Sequence, residues 1–155
     1  MNILKWILAL AVGAFLIFFG YLKFSGAAFI FPYIEYKGTE AGLPLAEIAY
    51  PLGNYIVGSM EILAGILVIL PFTRSFGSLF AVLPFAGAVS MHLTPYLGTV
   101  TPLDFASPKP VDALARGGEF VRTDFTAETG STLFTIAVAM LVVSIVNVLI
   151  QRRHS

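Results

Sequence analysis

Residues 55–72 read YIVGSMEILAGILVILPF, eighteen residues in which Glu61 is the one charged side chain. At about 1.5 Å of rise per residue, such a run crosses the roughly 30 Å hydrocarbon core of a bilayer. Three further runs share its character, at 3–23, 76–93 and 132–150. None shows the polar–apolar alternation of a transmembrane β-strand. In lipid every backbone N–H and C=O must pair within the chain, so each run reads as a helix. The expected fold is an all-α bundle of four transmembrane helices with two long extracytoplasmic loops. The helices are expected at about 3–24, 54–72, 76–94 and 131–151, within a single integral membrane domain, 1–155.

Composition agrees with the spans. The chain is 57% hydrophobic and 12% charged, whereas soluble domains carry about 25% charge. A chain this apolar cannot cover itself in water, so the lipid bilayer is its first partner. There is no cysteine, which excludes disulfides, thiol chemistry and thiolate metal sites. Formal net charge is zero, and no Lys/Arg run points to nucleic acid. Lys5, the apolar run and then Ser25, Gly26, Ala27 and Ala28 have the outline of a signal peptide. The run exceeds an h-region of roughly 7–15 residues, so it reads as a retained helix.

Charge placement orients the bundle. Four spans put both termini and the short turn at 71–75 on one side. That side carries Lys5, Arg74, Arg152 and Arg153 and no acid. Eight of the nine acids lie in the segments 24–54 and 94–131: Glu35, Glu40, Glu47, Asp104, Asp112, Glu119, Asp124 and Glu128. The positive-inside rule then places both termini in the cytoplasm and these segments outside. The first segment is rich in aromatics and prolines and reads as lying on the outer interface, with a short helix over 45–50. The second opens on Pro95, Pro102, Pro108 and Pro110, which forbid a long helix. A short turn at 111–116 and a break at Gly117 and Gly118 follow. Both segments read either as solvated linkers or as a cap over the bundle. Pro84, within the third span, removes a backbone donor, frees the carbonyl of Phe80 and is expected to bend its helix.

Small and polar residues mark helix faces. Asn54, Gly58, Glu61 and Gly65 share one face of the second span, and Gly77, Ala81, Ala88 and His92 one of the third. Gly13 and Gly20 stand a heptad apart in the first, with Lys23 after them. Thr132, Thr135 and Ala139 share a face of the fourth. In lipid such residues mark helix contacts, because backbones can approach there.

Glu61 stands apart. Near mid-membrane, a carboxylate costs about 2.5–3.5 kcal/mol even on insertion scales. It must face the bundle and find a partner or hold a proton, which makes it the candidate proton-handling residue. Lys23 and His92 are the available partners. At the helical rise they sit about 30 and 24 Å from the termini-side ends of their helices, and Glu61 about 15 Å. A ladder of polar groups in the outer half is expected, with a pocket walled by some combination of Phe18, Phe19, Phe85 and Met91. The plainer readings stand beside this one. Lys23 can snorkel to the interface, His92 can bond an interfacial carbonyl, and Glu61 can be purely structural. Arg74, Arg152 and Arg153 read as topology anchors. One intramembrane Glu and one His are too few for a metal site.

FFGYLKF at 18–24 resembles the opening F-x-G-x-x-K-F of the DoxX-like membrane proteins. MEILAG at 60–65 resembles their second-helix E-x-x-x-G, and PFTR at 71–74 the turn after it. HLTP at 92–95 and GGE at 117–119 fit in order, so the resemblance covers nearly the whole chain. It implies a four-helix integral protein of the bacterial plasma (inner) membrane, with Lys23, Glu61 and His92 at its marked polar positions. It also implies an association with redox systems. Some members resemble the small subunit of a thiosulfate:quinone oxidoreductase, and others accompany oxidative-stress systems. The outer loops here are longer than in short members.

Two functional classes follow. One is an accessory or binding protein whose outer-half pocket, with Glu61, His92 and Lys23, holds a quinone or lipid. The other is a membrane subunit of a quinone-linked oxidoreductase, passing protons through Glu61 while a partner redox protein carries electrons. The first is favoured, because the chain has no cysteine, flavin motif or haem-ligand pair. No covalent cofactor is expected; a quinone and a partner protein or second copy are the expected associates. A small-solute or proton transporter is weaker, since the inner half offers only Ser144 and Asn147.

Overall fold

Four of the helices in the computed structural model are long and apolar enough to cross a membrane. The structure describes residues 3–25, 30–102 and 129–152. Helix α1 is Ile3–Phe24, α2 Ile30–Glu40, α3 Asn54–Ile69, α4 Arg74–His92 and α5 Thr132–Arg152. The spans are α1, the stretch Ala46–Ile69 that ends in α3, α4 and α5. The expected all-α fold is therefore observed. Apart from the helices, the described residues form one two-residue antiparallel ladder, β1 (Thr101–Pro102) against β2 (Thr129–Gly130).

Helix α3 packs between α1 and α4, and α5 closes the ring against α4 and α1. The closest seam is α1 on α3. A Cβ placed on Gly13 would lie 2.9 Å from the carbonyl oxygen of Gly65, and one on Gly20 would lie 2.8 Å from that of Gly58. Two glycines a heptad apart on each antiparallel helix thus let the backbones touch, the small-residue packing expected in lipid. At the turn between α3 and α4, Gly77 is tighter still, with a Cβ there falling 2.4 Å from the backbone carbon of Leu67.

The interior is layered. Ala9, Val12, Leu16, Ala64, Val68, Ala81 and Phe85 form a buried apolar plug at mid-height. Toward the chain ends lies a polar layer that the sequence reading saw only in part. Asn147 donates to the Ser78 hydroxyl at 2.9 Å, and Gln151 donates to Asn147 at 3.0 Å and to the Lys5 carbonyl at 3.2 Å. These bonds tie α5 to α4 and α1 and decide which face of α5 is buried. The face of Thr132, Thr135 and Ala139 is exposed instead. Threonine tolerates lipid there because its hydroxyl can bond its own helix backbone.

Arg74, at the turn between α3 and α4, is 8% exposed. Its guanidinium donates to the carbonyls of Val68 (3.3 Å) and Ile69 (3.0 Å) and stacks 3.8 Å from the Trp6 ring centroid. It satisfies carbonyls that the end of α3 leaves open. With Leu70 extended and Pro71 next, α3 stops at Ile69 and α4 starts at Arg74, both earlier than expected.

The segment between α1 and α3 holds a helix that the aromatic and proline content concealed. Pro32 sits in the first turn of α2, where no backbone donor is needed. Gly42, at φ +68°, ends the helix: Leu43 N–H bonds the Gly38 carbonyl and Gly42 N–H that of Thr39. Burial, with the charge of Glu47 adding to it, holds the Glu35 carboxyl on α2 above the usual carboxylate range. The expected helix over 45–50 is a single turn, Ala46–Ile48, leading into Ala49–Gly53. The turn at 111–116 and the break at Gly117 and Gly118 lie outside the described residues.

Candidate functional site

The glycine seam places the site. At Gly58 a Cβ would lie 3.1 Å from the Cβ of Lys23, so the last turn of α1 is pressed against α3. Lys23 is held inward by this approach rather than freed to snorkel. Its Nζ lies 2.7 Å from Oε2 of Glu61, and the two residues are only 6% and 8% exposed. Nζ is also 3.5 Å from the Phe19 carbonyl and 5.8 Å from the centroid of the Phe31 ring. Asn54 donates to the Lys23 carbonyl at 2.8 Å, joining the end of α1 to the start of α3. The expected need for Lys23 to reach down is met by the direct ion pair. Such a pair is tolerated in lipid because each charge is the other's partner.

His92 ends α4 and is 5% exposed. Its Nδ1 is 3.0 Å from the Gly98 carbonyl, which can only accept, so Nδ1 bears a hydrogen and, in the neutral ring, Nε2 is the acceptor. Gly98 has φ +74°, a conformation that glycine adopts without strain and that turns its carbonyl toward the ring. Phe134 of α5 meets the imidazole edge-on at 5.8 Å. The carbonyl bond and the site position, set against each other in the sequence, are both occupied by the same residue.

Two cavities meet at these side chains. A smaller one, about 110 Å³, lies among α1, α4 and α5 against Phe15, Phe19 and Phe85. A larger one, about 440 Å³, lies under α2 among Phe31, Ile34, Val57, Met60 and Met91. Lys23, Ile30, Glu61, Pro84, Ala88 and His92 line both, so the two are lobes of one chamber with a shared polar wall. Lys23, Glu61 and His92 are the only polar side chains among the described residues that line it. The larger lobe reaches Leu83 and Gly87, which are exposed on the surface of α4.

Of the wall expected from sequence, Phe19, Phe85 and Met91 line the chamber. Phe18 does not; it is 55% exposed, one helical step around α1 from Phe19. Pro84 is buried in α4, which continues through it, and its ring forms part of the shared wall. Ala88 was read as packing only. It falls between Pro84 and His92 at four-residue spacing, and that register was the signal for its place in the wall.

Chemically the arrangement offers a closed ion pair, an imidazole whose Nδ1 is bonded to Gly98, and a hydrocarbon lining. Among the described residues no three of His, Cys, Asp and Glu gather where a metal could be held. No family model matches the chain, and no curated protein or solved structure matches it.

Proposed function

We propose that this integral membrane protein is a binding or accessory protein of the DoxX-like type, whose chamber holds the polar end of a quinone or lipid. The observation that carries the reading is the convergence of Lys23, Glu61 and His92 on an otherwise apolar chamber of about 440 Å³ in its larger lobe. Ligand sites have this composition, a mostly apolar cavity with a few converging polar groups. The reach of the larger lobe to Leu83 and Gly87 on the exposed face of α4 supports entry from the bilayer. The protein works beside a partner redox protein or as a homo-oligomer in the bacterial plasma membrane, its chain ends cytoplasmic. The transport reading draws no support from the plug of Val12, Leu16, Val68 and Phe85 that separates Glu61 from the Asn147 layer.

Ala88→Phe tests the binding reading. The ring has room in the chamber and would occupy the shared wall. The parent protein, extracted in mild detergent and examined by native mass spectrometry, is expected to carry a co-purifying amphipath, and the folded variant to have lost it. Equal retention by both would sink the proposal. Ala88→Leu serves if the larger ring prevents folding.

Orientation is tested separately. Reporters fused after Ser155 are expected to score as cytoplasmic, and reporters within 108–118 as outside. The basis is the segregation of Lys5, Arg74, Arg152 and Arg153 from the loop acids. A cytoplasmic signal from the loop fusion overturns the orientation without touching the chamber.

A further inference from the structure

We infer that the chamber selects neutral amphipaths whose headgroup donates hydrogen bonds, hydroxyl-bearing ones above all, over anionic or acceptor-only ones. The inference rests on the binding reading above and follows from which valences of the polar wall are already taken.

The charge of Lys23 is already matched by Glu61, which leaves little to attract an anion. Its ammonium is paired with Glu61 Oε2 at 2.7 Å, faces the Phe19 carbonyl at 3.5 Å and lies over Phe31 at 5.8 Å. An anionic headgroup would have to displace Glu61 and leave a buried carboxylate without a counter-ion. What remains open is acceptor capacity. Glu61 uses Oε2, and among the described residues nothing donates to its Oε1. His92 uses Nδ1, and among the described residues nothing donates to its Nε2. The rest of the shared wall is Ile30, Pro84 and Ala88, which carry no side-chain polar atom. A headgroup that only accepts leaves both acceptors desolvated and unpaired, the costly outcome in a low-dielectric site. A headgroup with one or two O–H donors satisfies them and needs no charge. The glycerol end of a monoacylglycerol meets this description, and so does the dihydroxy, reduced form of a quinone. The oxidised form does not.

Three probes with the same acyl chain separate the cases: 1-monoolein with two hydroxyls, methyl oleate with no donor, and 1-oleoyl-lysophosphatidate with an anionic head. Binding to the full chain in a mild detergent is measured by titration in native mass spectrometry. Monoolein is expected to bind on the order of tenfold more tightly than either of the others. His92→Asn keeps an N–H where Nδ1 meets Gly98 and deletes the acceptor at Nε2, so monoolein should lose most of its advantage. His92→Gln, whose amide oxygen reaches the Nε2 place, should retain part of it. Methyl oleate binding as tightly as monoolein, or lysophosphatidate binding more tightly, overturns the donor selection and leaves the binding reading standing. An undiminished monoolein preference in folded His92→Asn protein overturns the assignment of the acceptor to His92. Equal binding of every probe to the parent and to Ala88→Phe overturns the chamber itself.

Discussion

Glu61→Leu is expected to destabilise the folded protein by roughly 3–5 kcal/mol, the range for breaking a buried pair from one side. Among the described residues, the substitution leaves the Lys23 ammonium, 6% exposed, with no counter-ion and with the Phe19 carbonyl and Phe31 ring as its remaining contacts. Lys23→Met should do comparable damage by stranding the carboxylate. The double variant Lys23→Met/Glu61→Leu should recover most of the loss, because replacing both partners by apolar groups of similar size is often close to neutral. Glu61→Gln should keep the fold, since its amide oxygen still accepts from Nζ, and should alter ligand retention. Unfolding midpoints from denaturing-detergent titrations in mixed micelles read all four variants. A Glu61→Leu midpoint equal to the parent's, or a double variant no better than the worse single one, would mean that the pair does not hold α1 to α3.

The same chemical change, glycine to alanine, should have opposite signs at different places along the bundle. Gly65→Ala puts a methyl 2.7 Å from the Gly13 carbonyl oxygen, and Gly77→Ala puts one 2.4 Å from the Leu67 carbonyl carbon. Backbone atoms cannot give way as side-chain ends can. Each variant should lose about 1–3 kcal/mol, with Gly77→Ala at or beyond the upper end. At Gly87 a Cβ meets nothing within 4 Å, so Gly87→Ala should be neutral or gain up to about 0.5–1 kcal/mol from helix propensity. The same unfolding titration decides. If all three variants behave alike, the close α1–α3 and α3–α4 approaches are not what holds the bundle.

How far these features were visible beforehand depends on their range along the chain. The spans were legible because hydrophobic length is a local property and lipid admits few backbone solutions. The glycine faces were legible for the same reason: Gly13 with Gly20, and Gly58 with Gly65, keep helical register. That Glu61 needs a partner was legible from its cost in lipid. Which partner it takes was not. Rise along the helices put Lys23 well away from Glu61 in height, and only the closeness of the seam, with the length of the lysine side chain, closes that distance to 2.7 Å.

What the sequence left open shares one cause. The charge of Arg74 was legible, but not that its side chain folds back onto carbonyls of the preceding helix. The buried face of α5 could not be found from Thr132, Thr135 and Ala139, because the choice is made by the bonds of Asn147 to Ser78 on α4 and of Gln151 to Lys5 on α1. By itself the sequence determined that the chain is a membrane-embedded helical bundle, that its glycines mark contact faces, and that Glu61, Lys23 and His92 are the polar residues to follow. The tertiary structure alone decided that Lys23 closes on Glu61, that His92 turns Nδ1 to Gly98 and that the three wall a two-lobed chamber. The reason is physical: hydrophobicity and helical register act along one chain segment, whereas pairing and cavity shape depend on how closely segments far apart in sequence approach.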